Sequence, residues 1–295
     1  MNDDYKKSIL DYETNDGIEI SSLIAVLKNH FRLFGATVIS VTFISIIYSL
    51  LLSPVYQAEV IAIPAEKTSS IGSLTSSFSG IASIAGIELP SGPADDIQTS
   101  IAIAESKKFN ILFVNQENLL PILFKEDWDE DEESWIENEP PSDLSAQARM
   151  RTHYSIGYDK RDGIVTFTMN WDDPNLAAKY ANQFVSAINN YIRNDEILEA
   201  EKSIDYLKKE IKKTTLVDIK NVLNSLIQEQ LQTIMLANVR EDYAFKIIDP
   251  AMVPKSKIKP QRRQIVILGF ILGLIIGTFV IAIRENQKTI ISIFK

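Results

Sequence analysis

Cysteine is absent from this chain of 295 residues, and histidine occurs only twice. Without cysteine the protein can form no disulfide, thiolate zinc site, iron–sulfur cluster or thiol nucleophile, although such a chain suits either an oxidising or a reducing compartment. The two histidines, His30 and His153, are not at the spacing of a metal-binding pair. We therefore expect no metal site and no cofactor, with both histidines at ordinary polar positions.

Motifs for common catalytic chemistry are also missing. The sequence contains no G-x-x-x-x-G-K-[ST] loop for a nucleotide and no G-x-S-x-G nucleophile elbow. A net charge of -9 disfavours binding to nucleic acid. These absences predict a protein that is not an enzyme and does not bind nucleic acid.

Two apolar runs are long enough to cross a membrane. Residues 33–52 and 264–283 carry no charge, and about 20 helical residues span a hydrocarbon core of roughly 30 Å. A cleaved signal peptide is the alternative for the first run. However, 32 residues precede it and Ser53-Pro54-Val55 is not a small-x-small cleavage site. We predict two transmembrane helices.

Two spans place both termini on one side of the membrane and residues 53–263 on the other. Near the spans, five Lys and Arg residues lie on the side of the termini and six on the side of the middle segment. This near tie does not assign the sides, because long loops translocate largely regardless of charge. The predicted domains are an N-terminal segment 1–32, a span 33–52, a middle domain 53–263, a span 264–283 and a tail 284–295.

The first part of the middle domain combines strands with loops. Residues 55–63 and 153–170 predict a strand and a β-hairpin, and Asp95-Asp96 predicts a helix start. The Ser- and Gly-rich segment 68–93 is either a semi-ordered loop that packs on a neighbour or a mobile surface loop. Residues 126–139 hold nine acidic side chains without the pattern of a calcium loop, so we expect a solvated acidic loop.

The second part predicts a long helical hairpin. Trp171-Asp172-Asp173-Pro174 resembles a helix start, with Asp172 or Asp173 as the N-cap. Apolar residues then recur at helical spacing, which predicts helices over about 174–239 with a break at Thr214-Thr215. A strand near 243–247 closes the domain. The resulting fold class is an α+β domain with a small sheet and a long protruding helical hairpin, flanked by two transmembrane helices.

The second span carries a ridge of small residues, and a proline segment precedes it. Gly269, Gly273 and Gly277 repeat every four residues, which allows close approach between membrane helices, and we expect them to pack subunits together. Incidental glycines are the alternative. Pro250, Pro254 and Pro260, followed by Arg262 and Arg263, predict an extended connector that fixes the height of the sheet.

Several segments spread over the chain have similar counterparts, in the same order, in one known family. They are Ile18-Glu19-Ile20 with residues 23–27, Tyr56-x-Ala58, residues 81–87, Trp171-Asp172-Asp173-Pro174 with Ala177-Ala178 and Ala181-Asn182, residues 235–251, and the approach through Pro254, Pro260 and Arg262-Arg263 to a Gly-rich span. In this order they resemble the Wzz-type chain length determinants, the polysaccharide co-polymerases of Gram-negative inner membranes. Within them, Trp171, Asp173, Pro174, Ala178 and Asn182 form the most specific motif.

The resemblance implies a multi-pass inner-membrane protein with a periplasmic middle domain, cytoplasmic termini and bell-shaped homo-oligomers. It implies a non-enzymatic regulator of the modal chain length of the O-antigen of lipopolysaccharide or a related surface glycan. The implied partners are a Wzy-type polymerase, an undecaprenyl-diphosphate-linked glycan and membrane lipid.

Two other functions are weighed against this one. A polysaccharide export adaptor would partner a tyrosine autokinase, as in capsule systems, but residues 284–295 hold neither a P-loop nor a tyrosine cluster. A two-span sensor would need a cytoplasmic output domain, for which terminal segments of 32 and 12 residues are too short.

The topology is directly testable. An enzymatic reporter fused after Lys295 should be active only in the cytoplasm, and one inserted near Asp131 only outside it, because two spans return the chain to its starting side. Reporter activity and protease protection in intact cells provide the measurement. The reverse pattern would contradict the assignment.

Overall fold

The fold is described from a computed structural model that defines residues 30–65, 92–137 and 139–293, without the side chains of 92–96 and 285–293. Residues 68–91 of the predicted Ser- and Gly-rich loop lie outside the described residues. The segments 18–20, 23–27 and 81–87 that contribute to the family resemblance also lie outside them.

The chain divides into two compact units, Met1–Pro54 with Ile258–Lys295 and Val55–Lys257. The described elements are, in chain order, α1 (Phe31–Leu51), β1 (Tyr56–Pro64), α2 (Gly92–Glu105), α3 (Lys107–Gln116), α4 (Leu120–Leu123), β2 (Trp128–Asp129), β3 (Ser134–Trp135), α5 (Asp143–Arg151), β4 (Tyr154–Asp159), β5 (Ile164–Trp171), α6 (Pro174–Lys213), α7 (Val217–Val239), β6 (Phe245–Asp249) and α8 (Arg262–Ile293).

The first unit is built on the helices α1 and α8. Phe31–Leu51 and Arg262–Arg284 are long and apolar enough to cross a membrane, with mean hydropathies of 2.0 and 2.9. Helix α8 continues beyond Arg284 to Ile293, where a separate tail was predicted. The continuation follows from local sequence, because residues 284–293 contain neither glycine nor proline to end the helix.

The second unit is built on a four-stranded antiparallel sheet with the order β4-β5-β1-β6. Side chains of β5 alternate between buried and half-buried positions, as expected for a sheet with one covered face. In the centre of the sheet Val60 lies opposite Phe167, and Ala62 lies opposite Val165. Among the described strands, β6 pairs only with β1 and therefore forms an edge of the described sheet.

Helix α6 begins in the hydrophobic core of the second unit. The ring of Phe184 lies 5.2 Å from that of Phe109, 5.2 Å from Phe113 and 4.6 Å from Tyr154. These aromatic contacts join α6 to α3 and β4, and they bury the largest apolar side chains of the unit.

The helical hairpin extends beyond this core. Helix α6 is 40 residues long and ends at Lys213, and α7 returns along it from Val217. Along α6, the buried residues of the core cluster end at Ile192, and the buried residues Ala200 and Ile204 lie outside that cluster. The predicted hairpin and its break at Thr214-Thr215 are confirmed, and so is the α+β fold class with two flanking apolar helices.

Four segments differ from the sequence-based prediction. The helix expected from residue 95 is two helices, because the Ser106 side chain accepts a hydrogen bond from the N–H of Phe109 and starts α3. Helix α5 was not predicted. The acidic run is not only a loop but contains the ribbon β2–β3, and residues 250–261 bend at Lys255-Ser256 instead of extending throughout.

Candidate functional site

The motif at residues 171–174 starts helix α6. Asp173 is the N-cap, because its Oδ1 accepts hydrogen bonds from the N–H groups of Asn175 at 2.7 Å and Leu176 at 3.2 Å. Asp172 instead receives a hydrogen bond from Lys125 Nζ at 2.7 Å. Partial burial raises the pKa of Asp172, but the hydrogen bond and charge of Lys125 outweigh it and hold the pKa below its usual value. The choice between the two predicted caps is thus settled in favour of Asp173.

Trp171 is a buried packing residue. Its ring lies 4.4 Å from that of His153 and 4.9 Å from that of Tyr180. The Nδ1 atom of His153 donates to the carbonyl of Asn170 at 3.0 Å, and burial lowers the pKa of this histidine. His153 is therefore neutral at pH 7 and supports the end of β5.

Two asparagines of α6 hold the segment that follows α7. Asn189 is buried, and its Oδ1 accepts hydrogen bonds from the N–H groups of Ala244 and Phe245 at 2.9 and 2.8 Å. Its Nδ2 donates to the carbonyl of Phe245 at 2.8 Å. Seven residues earlier, Asn182 exchanges two 2.9 Å hydrogen bonds with the backbone of Ala251 and also donates to the carbonyl of Ala178 at 3.0 Å.

Polar contacts continue along the same helix. The Tyr243 hydroxyl donates to the Glu196 carboxylate, and burial together with this carboxylate raises the pKa of Tyr243. Arg193 donates to the carbonyl of Arg240 at 3.5 Å. Residues 182, 189, 193 and 196 lie along one stripe of α6 and bind the segment 240–251. We call this set of contacts the amide clamp.

The predicted site residues thus fall into separate groups. Asn182 and Ala178 lie on the amide clamp, and Pro250 precedes its clamped Ala251. Pro254 is in the same unit, whereas Pro260, Arg262 and Arg263 belong to the other one. Asn189 was missed by sequence reasoning, although a polar residue beside Ile188 in an apolar stripe was an available signal.

The glycine ridge packs against the first span of the same chain. A Cβ atom on Gly269 would lie 1.9 Å from Ser45 Oγ, and one on Gly273 would lie 3.2 Å from Val38 Cα and O. One on Gly277 would lie 2.9 Å from two ring carbons of Phe34. These distances leave no room for a side chain, so the close approach expected between subunits is made within the chain, between α1 and α8.

No metal site is found in the part of the chain that the structure describes. Within it, no group of three or more His, Asp or Glu side chains is placed to hold a metal ion. The arrangement described above anchors a segment and packs two helices.

Comparison with known protein families adds an independent finding. The Wzz family model, described as chain length determinant protein, matches residues 16–116. Residues 16–116 are thus similar to the Wzz family. A second model, described as "G-rich domain on putative tyrosine kinase" and abbreviated GNVR, matches residues 201–286. The resemblance to Wzz-type chain length determinants is therefore confirmed.

Two solved structures align with this chain. A full-length bacterial polysaccharide co-polymerase aligns with 13% identity and a TM-score of 0.43, covering 93% of this chain and 99% of the other. A fragment of WzzB, a polysaccharide co-polymerase from Salmonella Typhimurium, aligns with 8% identity and a TM-score of 0.30, covering 70% and 100%. No curated protein sequence matches the chain.

Substitution of Asn189 by Ala should release the start of β6. Two backbone N–H groups and one carbonyl would lose their buried hydrogen-bond partners. This loss should lower the free energy of local unfolding by about 2–4 kcal/mol. Hydrogen exchange of the full-length protein in detergent should show faster exchange at Ala244 and Phe245. Asn194→Ala, on the exposed side of the same helix, is the matched control. Equal protection in both variants would contradict the amide clamp.

Substitution of Gly273 by Leu should separate α1 from α8, because the side chain would meet the backbone of Val38. Overpacking of this kind costs about 1–3 kcal/mol. A thermal melt of the full-length protein in detergent, followed by circular dichroism, measures this loss of stability.

The melting temperature should fall by several degrees with Gly273→Leu. Gly35→Leu is the control, because a Cβ at Gly35 meets no atom within 4 Å. An unchanged melting temperature in the Gly273 variant would show that the ridge does not set the distance between the helices.

Proposed function

We propose that the protein sets the modal chain length of a surface polysaccharide, the O-antigen of lipopolysaccharide or a related glycan, in Wzy-dependent polymerisation. It does so without catalysis, as a homo-oligomer in the bacterial inner membrane, with residues 55–257 in the periplasm. Its partners are a Wzy-type polymerase and the undecaprenyl-diphosphate-linked glycan. The Wzz match at residues 16–116 is the observation that carries the proposal, and two candidate spans bracketing one large unit support it.

Exposed apolar side chains on α7 support self-association. Ile219, Val222 and Leu226 recur at intervals of three and four and lie on one stripe of the helix, and all three are at least 40% exposed. Met235 and Val239 are more exposed still, at 67% and 80%. Apolar surface of this extent is covered in most soluble domains, and a second copy of the chain is the occupant that an oligomer provides.

A polysaccharide export adaptor that partners a tyrosine autokinase is the second candidate function. The GNVR match at residues 201–286 favours it, because that model is described as a domain on a tyrosine kinase. The sequence contains no P-loop. In this case the protein would act together with a tyrosine kinase on the cytoplasmic side.

Gene deletion followed by electrophoresis of the surface glycan tests the proposal. The deletion should replace a modal band by an unregulated length distribution, and expression of the full-length chain should restore the mode. An unchanged distribution after deletion would refute chain-length control. Loss of export, together with co-purification of a tyrosine kinase, would favour the second candidate.

His153→Ala tests whether the protein acts without catalysis. The histidine is half-buried against Trp171 and neutral, so its loss should cost only packing, about 1 kcal/mol. We expect a normal modal band and normal protein level. A complete loss of regulation with the protein folded and inserted would return a catalytic function to consideration.

A further inference from the structure

An open cleft of about 530 Å³ lies beside the ribbon β2–β3, and no function considered so far uses it. One wall is formed by Trp128 and Trp135 with Glu130 and Glu133, and the other by the residues that join α3 to α4, Asn118 among them. This volume is within the range of about 300–1,000 Å³ that small-ligand sites occupy.

The two tryptophans of the cleft are not part of the hydrophobic core. They lie opposite each other across the ribbon, with ring centroids 4.8 Å apart and planes at 69°. Both are only half-buried, and neither belongs to the core cluster that includes Trp171. Each strand of this ribbon is two residues long, so the pair maintains the ribbon and also presents aromatic surface to the cleft.

The polar groups of the cleft are strong hydrogen-bond acceptors. Glu130 and Glu133 are exposed, and among the described residues neither is in an ion pair. Ionised carboxylates accept hydrogen bonds and donate none, so a ligand here must be rich in donors. Asn118 adds an amide that can both donate and accept.

A sugar ring meets both requirements. One face of a pyranose carries C–H groups that pack against the negative face of an aromatic ring, and its rim carries hydroxyl donors. The nine acidic residues between 126 and 139 repel anions. The cleft therefore selects against uronic or sialic acids and in favour of neutral or amino-substituted sugars.

We propose that the cleft between Trp128, Trp135, Glu130, Glu133 and Asn118 binds a neutral or amino-substituted sugar unit of a polysaccharide. The inference rests on the proposed function, for which it names a point of contact between the protein and the glycan. In this role the aromatic rings hold the sugar face and the carboxylates orient its hydroxyl groups.

Calorimetric titration of the full-length protein in detergent tests the proposal. The probe is a set of short oligosaccharides released by partial acid hydrolysis from the surface polysaccharide of the host strain. We expect saturable binding that Trp135→Ala weakens about tenfold. The Glu130→Gln, Glu133→Gln double variant, which leaves the tryptophan pair intact, should weaken it several-fold because neutral acceptors bind hydroxyls less strongly.

Glu199→Gln with Glu201→Gln is the charge-matched control, since both residues are exposed on α6. Tyr206→Ala, also on α6, controls for loss of an exposed aromatic ring. A thermal melt of each variant confirms that it is folded. Should Trp135→Ala unfold the ribbon, the double Glu variant decides the question.

Absence of binding, or binding that the cleft variants leave unchanged, would overturn the proposal. Binding of trilysine at the cleft in place of the oligosaccharides would overturn it too and assign the site to a cationic peptide. The electrophoresis of the surface glycan tests the proposed function separately from the cleft. If gene deletion removes the modal band but the cleft variants bind saccharide as the unchanged protein does, the proposed function stands and the sugar site is refuted.

Discussion

The polar surface of helix α6 determines how the second unit closes, because β1 is the only partner of strand β6 among the residues that the structure describes. Backbone groups along the unpaired side of an edge strand and in the segment after it need other partners once they are buried. Asn189 and Asn182 supply them with paired amide hydrogen bonds to residues 244–245 and 251. An amide side chain suits this purpose because it donates and accepts at once. The long helix therefore fixes the path of the chain between α7 and the proline segment.

The second unit depends on polar side chains, whereas the first unit depends on glycines, which have no side chain. Between two apolar helices in lipid there is no hydrophobic driving force, so close backbone contact and dispersion provide the attraction. Gly269, Gly273 and Gly277 supply this contact to α1 in the same chain. The ridge is therefore in contact with α1 of the same chain. Elsewhere in the described part of the molecule, α7 carries exposed apolar side chains.

The features that sequence predicted are those with local signals. Helices α6 and α7, their break, the β4–β5 hairpin and the cap at residue 173 follow from periodicity and turn chemistry within a few residues. The ribbon β2–β3 could not be found in this way, because two-residue strands have no periodicity and their pairing depends on contact between Trp128 and Trp135. The roles of Asn182 and Asn189 were also out of reach: they bond to backbone 55 to 69 residues away, and only the folded chain brings those groups together.

The distribution of burial within the hairpin bears on how the hairpin is stabilised. Helix α7 has one fully buried residue, Ala237, near its end, while the rest of its apolar surface is shared between α6 and solvent. Isolated helices gain most of their stability from packing, so the distal hairpin is held more weakly than the core. Covering its exposed stripes with neighbouring copies would stabilise it in proportion to the area buried. The order of the hairpin would then depend on assembly, whereas the sheet and the amide clamp, which lie within one chain, would not.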